Sequence, residues 1–356
     1  MLYFGLFNLL VALRYMASRA ARNTLYPALL LCLFLFSAFR FEVGCDWSGY
    51  YNQFYAYSNY VIDDLVSVDI REPLWKGVIT LLNRFDFAYP WLNVVSSAMF
   101  FLGMHALAKR QPDPLSFLVL LFPILIINMP MSGIRQGAAI GLISLAFAAF
   151  LDQRQIRFVV FTVLAATIHS SAMIFILMAP LVKGRLTRRK LILAGVLALP
   201  GLAALLSTDS ADLAIERYVD TGIDAAGAAF RLILLTGTGA LYFVVLRKKW
   251  AVEFPHDYKL VTVIAVVMLA MILLLPFSSV IGDRLGYYLI PIQTIIFSRI
   301  PFLSIRKSRQ LWISAPYLGL ILVFGVWTAL SRHFAQCYLP YQSWLFGLPE
   351  SARFLY

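Results

Sequence analysis

Residues 158–182, FVVFTVLAATIHSSAMIFILMAPLV, decide how this chain folds. The run carries no Asp, Glu, Lys or Arg and is long enough to cross a bilayer, which takes roughly 20 mostly apolar residues. Its flanks forbid a single crossing. Arg154 and Arg157 stand before it and Lys183 to Lys190 after it. Loops rich in Lys and Arg stay in the cytoplasm, so one crossing would place a basic loop on the wrong side and invert every loop that follows. The only polar interruption is Ile168-His169-Ser170-Ser171. The segment therefore reads as two short helices folded back into a broken or re-entrant hairpin, with His169 at its tip. Non-helical backbone at that depth is tolerated only where it is buried in protein or lines a polar cavity.

The rest of the topology follows from that hairpin. Apolar runs near 2–13, 25–39, 91–108, 115–131, 134–151, 191–206, 230–246, 259–275, 285–298 and 311–329 read as spans. With the hairpin in place, most of the 30 Lys and Arg fall on the cytoplasmic side and most of the 18 Asp and Glu on the outer side. The expected fold is all-α, a polytopic transmembrane helical bundle of about ten spans plus the hairpin at 158–182. Both termini lie outside. The run 2–13 has its arginines (Arg14, Arg19, Arg22) after it, which favours a first spanning helix over a cleaved signal peptide. Nothing resembles an interdomain linker, so 1–356 reads as a single membrane domain. Residues 40–90 form an outer loop with amphipathic helices, and 207–229 form a second outer loop.

Composition excludes the alternatives. The 356 residues are 61% hydrophobic and 13% charged, with mean hydropathy +0.79, whereas soluble chains carry about 25% charge. The net charge of +12 is explained by cytoplasmic bias and not by nucleic acid. Cys32, Cys45 and Cys337 and the four histidines (His105, His169, His256, His333) lack the paired spacings of a zinc site, so no metal centre is expected. Cys45 and Cys337 fall on the same outer side; a disulfide is conceivable there, but they are read as two unpaired thiols.

Candidate chemistry collects in the outer loops. Arg135 follows the helix-breaking Asn128-Met-Pro-Met-Ser-Gly and opens the next helix beside Gln136. Free backbone N–H groups at a helix start, joined to a guanidinium fork, suit a phosphate. Arg284, in Gly282-Asp283-Arg284-Leu285-Gly286-Tyr287-Tyr288, reads the same way. An imidazole has an unperturbed pKa near neutrality, which suits His169 as a base. Asp46, Gly49, Tyr50, Gln53 and Tyr57 recur at helical spacing and share one face. The neighbouring rings, Tyr51 among them, also suit an ordinary interfacial belt, which explains neither Asp46 nor Arg40. Glu72 precedes Pro73, so it is either a helix cap or a catalytic carboxylate. Asp63, Asp64 and Asp69 read as solvated loop charges, as do Asp209, Asp212, Glu216, Asp220 and Asp224, while Arg217 and Tyr218 suit a lid.

Taken in order, five blocks resemble the EpsG-like branch of the Wzy polysaccharide polymerases: Gly44-Cys45-Asp46 with Tyr50 and Tyr51; Glu72-Pro73-Leu74; Ile134-Arg135-Gln136; His169-Ser170-Ser171-Ala172; and Arg284 with Tyr287 and Tyr288. Cys45 departs from the small polar residue common at that place. The resemblance implies an inner-membrane glycosyltransferase, multi-pass, with its site facing the periplasm or outer side. It would polymerise undecaprenyl-diphosphate-linked oligosaccharide units into O-antigen or exopolysaccharide without metal or other cofactor. The implied partners are those lipid-linked units, the bilayer and a chain-length regulator, with no nucleic acid. Without a metal, arginines and helix starts must stabilise the leaving diphosphate. Arg135, Arg284 and Arg40 take that role; Glu72, His169 or Asp46 is the base; Tyr50, Tyr51, Gln136, Tyr287 and Tyr288 line the sugar path. The rival readings are a metal-dependent lipid-phosphate-sugar glycosyltransferase, an O-antigen ligase and a transporter of the same lipid.

Overall fold

The computed structural model describes residues 2–57, 72–206, 227–274, 279–305 and 307–349. Helices stand at each of the expected spans. Five of them are long and apolar enough to cross a membrane by length and composition: Arg19–Ala38, Pro90–Ala108, Ile134–Leu151, Ala228–Glu253 and Arg309–Leu330. Shorter apolar helices include Leu2–Met16, Pro114–Ile126, Gln155–Ile168, Ser170–Leu181 and Tyr258–Leu273. Among the described residues the fold is all-α apart from one two-stranded sheet, Arg40–Phe41 against Gln342–Ser343, antiparallel with Arg40 opposite Ser343.

The chain forms two compact units. The first comprises 1–145, 164–172 and 307–356; the second comprises 146–163 and 173–306. In the first, helix starts carry the signals their sequence supplies. Ser18 accepts from the Ala21 N–H, Asp113 from the Ser116 N–H ahead of Pro114, and Ser331 from the Phe334 N–H. Arg14 Nε donates to Ser116 Oγ at 3.0 Å and Arg22 pairs with Asp113 at 3.2 Å, lacing together the ends that the sequence assigns to the cytoplasm. Helices Pro90–Ala108 and Ile134–Leu151 cross with their backbones in contact at Gly103 and Gly141. A Cβ on Gly103 would lie 2.0 Å from the Gly141 carbonyl oxygen. Small residues permit this approach where helix packing must replace a hydrophobic drive.

At the opposite end, the segment following Arg19–Ala38 is pinned on three sides. Arg40 is fully buried. Its Nε donates to the carbonyls of Val43 and Met131, at 3.0 and 2.8 Å, Nη1 to the Ser37 carbonyl at 2.7 Å, and Nη2 to Asn93 Oδ1 at 2.8 Å. Gly44 (φ +106°) presses on the same turn, and its N–H bonds to the Cys337 carbonyl oxygen at 2.6 Å. Cys45 and Cys337 form a disulfide across a sequence separation of 292. This corrects the expectation of two unpaired thiols: the tail helix Arg332–Tyr338 returns beside residue 45, which spacing along the chain could not reveal.

A Cβ at residue 44 would lie 2.0 Å from the Met131 carbonyl oxygen, on backbone already in the positive-φ region. Strained positions of that kind cost of order 1–3 kcal/mol each. Gly44→Ala is therefore expected to lower the melting temperature of the detergent-purified protein and to reduce its folded yield. An unchanged melting curve would contradict this packing.

The hairpin is present. Helix Gln155–Ile168 ends at His169, and a long 3₁₀ helix, Ser170–Leu181, returns from it. Gln155 Nε2 donates to the Ala179 carbonyl at 3.1 Å, joining the two ends away from the tip. In the second unit, Lys259 Nζ donates to the carbonyls of Val182 and Gly184 and holds the exit of this segment. The same unit contains Ala228–Leu241, Tyr258–Ala270 and Ser279–Arg299. The acidic residues 63, 64, 69, 209, 212, 216, 220 and 224, with the lid residues 217 and 218, lie outside the described residues.

Candidate functional site

The site of the first unit is built from four short pieces of chain. Trp47–Ala56 begins after Asp46; its Tyr50 ring lies 5.8 Å from Trp75 and Gln53 Oε1 accepts from Trp75 Nε1 at 3.1 Å. One face of this helix thus meets Pro73–Arg84, as the helical spacing of Tyr50 and Gln53 requires. Trp47, Tyr51 and Phe54 gather around the buried Tyr89.

Glu72 stands immediately before Pro73–Arg84, with left-handed backbone (φ +58°) and no side-chain bond to its own helix. Glu72 is thus the N-cap residue by position, its carbonyl accepting from the Lys76 N–H, while its side chain does not cap. Its carboxylate faces two donors instead. Oε2 accepts from Arg135 Nη1 at 2.6 Å, and Oε1 accepts from the backbone N–H of Ser170 at 3.1 Å. Arg135 is the second residue of Ile134–Leu151, and Ser170 is the first of the returning 3₁₀ helix. Side chains of Arg135 and Glu72 keep 32% and 13% of their exposure, so the pair is sheltered but reachable.

Next to this pair, Ser171 Oγ and His169 Nδ1 are 2.7 Å apart, and His169 is buried. Ser132 Oγ lies 3.5 Å from Asp46 Oδ2. Burial pushes the Tyr50 hydroxyl up to about 12; the positive charge of Arg135 opposes the rise, and Asp46 and Glu72 add to it. Tyr50 therefore stays protonated at neutral pH, hydrogen-bonded to the Arg135 backbone. Glu72, Arg135, Asp46, Tyr50 and the His169 tip converge from stretches distant in sequence. Gln136 is buried beside Arg135.

Arg40 departs from the expectation. Four of its contacts go to protein oxygens, so it braces the Met131 turn that leads to Arg135 and is not carried forward as a diphosphate ligand.

In the second unit the expected residues take different places. Arg284 lies inside Ser279–Arg299, several residues after its start, and is exposed. The neighbouring Asp283 pairs with Arg231 Nε at 2.6 Å, and the Arg231 guanidinium sits 5.0 Å over the Tyr287 ring. Tyr288 is packed against Phe175, with centroids 5.4 Å apart. Neither tyrosine presents an open face for a sugar. Sequence reasoning missed Arg231, Asn93, Ser132 and the Ser170 N–H. Arg231 had a signal: it follows Gly227 (φ +77°) near the start of Ala228–Leu241, repeating the glycine, arginine, helix-start pattern.

Cys45, His333 and Cys337 also meet, with their ligand atoms within 4.8 Å of one another. Histidine spacing along the chain gave no sign of this trio. With the two sulfurs joined, His333 Nε2 lies 3.0 Å from Cys45 Sγ as a neighbour of a disulfide.

Comparison with known proteins gives one family: the model described as the EpsG family matches residues 23–343. No curated protein and no solved structure matches the chain.

Proposed function

The chain belongs to the EpsG family, a family of polysaccharide-polymerase-like membrane proteins, and from that membership we propose that it is a metal-independent glycosyltransferase using a lipid-diphosphate donor. The observation that carries this reading is the meeting of Glu72, Arg135 and the Ser170 N–H beside His169. A sugar-to-diphosphate bond breaks with its electron pair leaving on the phosphate oxygen. The guanidinium and helix-start donors are suited to that developing charge. The anomeric carbon bonds to the hydroxyl oxygen of the acceptor sugar, and the hydroxyl proton passes to Glu72 or His169. Charge balances without a nucleotide or a redox step. Asp46 and Tyr50, set beside Arg135, are proposed to orient the acceptor, with Tyr51 and Gln136 flanking it.

In this reading the donor is the growing chain on undecaprenyl diphosphate, and the acceptor is the next lipid-linked unit. The protein sits in a bacterial inner membrane with this site on the outer side. The disulfide beside Asp46 supports the outer placement, because such bonds persist in oxidising compartments. A chain-length regulator is a proposed partner.

Purified protein reconstituted with lipid-linked repeat units is expected to produce a ladder of products differing by one unit, undiminished by EDTA. Single additions only, or transfer to lipid A core, would replace polymerisation by ligation; loss in EDTA would return the metal-dependent rival.

A further inference from the structure

The carboxylate of Glu72 occupies a seat whose chemistry is that of a phosphate. It is held by one guanidinium Nη and one backbone N–H at a helix start, the donor set that binds phosphate oxygens in many proteins. Three further observations mark Glu72 as a temporary occupant. Its backbone is left-handed, a conformation that a non-glycine residue holds only when its surroundings impose it. Its side chain leaves its own helix start uncapped in order to reach the seat. Arg135 Nε is buried and has no acceptor among the described residues, so the guanidinium holds more donor capacity than the carboxylate uses.

We propose that Glu72 is an internal stand-in for a diphosphate: in the ligand-free protein it fills the seat formed by Arg135 and the Ser170 N–H, and a diphosphate displaces it by taking both donors. The exchange rests on the diphosphate reading above and deepens it. Freed from its two donors, the carboxylate has both oxygens open to take the proton of the acceptor hydroxyl. Bound diphosphate then arms the group that deprotonates the acceptor, so the base is idle until a donor is present. The arrangement also keeps the guanidinium paired when the seat has no ligand, which an unpaired sheltered charge would not tolerate.

The test is binding, not turnover. The full chain is placed in nanodiscs of phosphatidylcholine and titrated with inorganic pyrophosphate, and separately with farnesyl diphosphate, by calorimetry. A site occupied nine-tenths of the time by its own carboxylate binds about tenfold more weakly than the open site. Glu72→Gln, which keeps shape but removes charge, should therefore tighten both ligands about tenfold, and Glu72→Ala should do the same. Asp46→Asn removes a nearby carboxylate that is outside the seat and should tighten neither comparably. Arg135→Ala should lose binding in every background. Unchanged or weaker binding in both Glu72 variants, with Arg135 still required, overturns the exchange and leaves the diphosphate seat standing. Equal tightening by Asp46→Asn overturns it as a general charge effect. Tightening for pyrophosphate but not the isoprenyl ligand overturns the lipid-diphosphate form of the proposal. Binding that ignores Arg135 overturns the diphosphate reading itself, and the exchange with it.

Discussion

Arg135→Ala is expected to abolish chain extension, lowering the initial rate of ladder formation about 10²–10³-fold or more, the range found when one preorganised donor is removed from a charge-stabilising site. The variant removes the guanidinium that pairs with Glu72 at 2.6 Å. It also removes the charge expected to meet the leaving diphosphate. Arg135→Lys separates the two contributions: it keeps the charge but loses the planar fork, which a lysine ammonium does not reproduce. Partial activity in the lysine variant is the expected outcome. Folding is checked by the melting curve, because loss of the arginine leaves a sheltered carboxylate unpaired. A rate near wild type in the alanine variant would remove Arg135 from the chemistry.

Glu72→Gln is the second large effect. The substitution preserves volume and one accepting oxygen, but it sets an NH2 donor against one of the two donors that held the carboxylate and cannot take the proton of the acceptor hydroxyl. Turnover should fall about 10²–10⁴-fold, the usual contribution of a positioned base, while diphosphate binding persists. The same assay on His169→Ala distinguishes the two groups. If Glu72→Gln turns over normally and His169→Ala does not, the imidazole is the base and the carboxylate only orients Arg135. The left-handed backbone at residue 72 suits glycine better than glutamate. Conformational relief at that position therefore should not be mistaken for functional tolerance, and rate and melting temperature should be read together.

How much of this was legible in the sequence depends on the range of the interaction. The hairpin could be read because its evidence is local: one polar break in an apolar run, with basic residues at both ends. Arg135 could be read because Pro130 and Gly133 interrupt the chain just before it. Glu72 was legible as a residue before proline but not as a partner of Arg135, since that pair forms across a sequence separation of 63. Arg40 shows the opposite failure. A buried arginine bonded to main-chain oxygens and one exposed at a membrane interface look alike in sequence, and only the path of the Met131 turn decides between them. Arg284 was assigned to a helix start because Gly282 suggested a break, yet the helix begins at Ser279 and runs through the glycine. Asp283 then turns to Arg231, which lies 52 residues away. Periodicity and punctuation report on neighbours along the chain; ion pairs and bridges between distant segments are settled by packing.

The bond between Cys45 and Cys337 has a topological consequence. All the chain from residue 45 to residue 337 becomes one covalent ring threaded through the bilayer, with Glu72, Arg135 and His169 on its circumference. A single cut in any loop of that ring opens the circle without releasing a fragment, so the molecule remains one piece until its bridge is reduced.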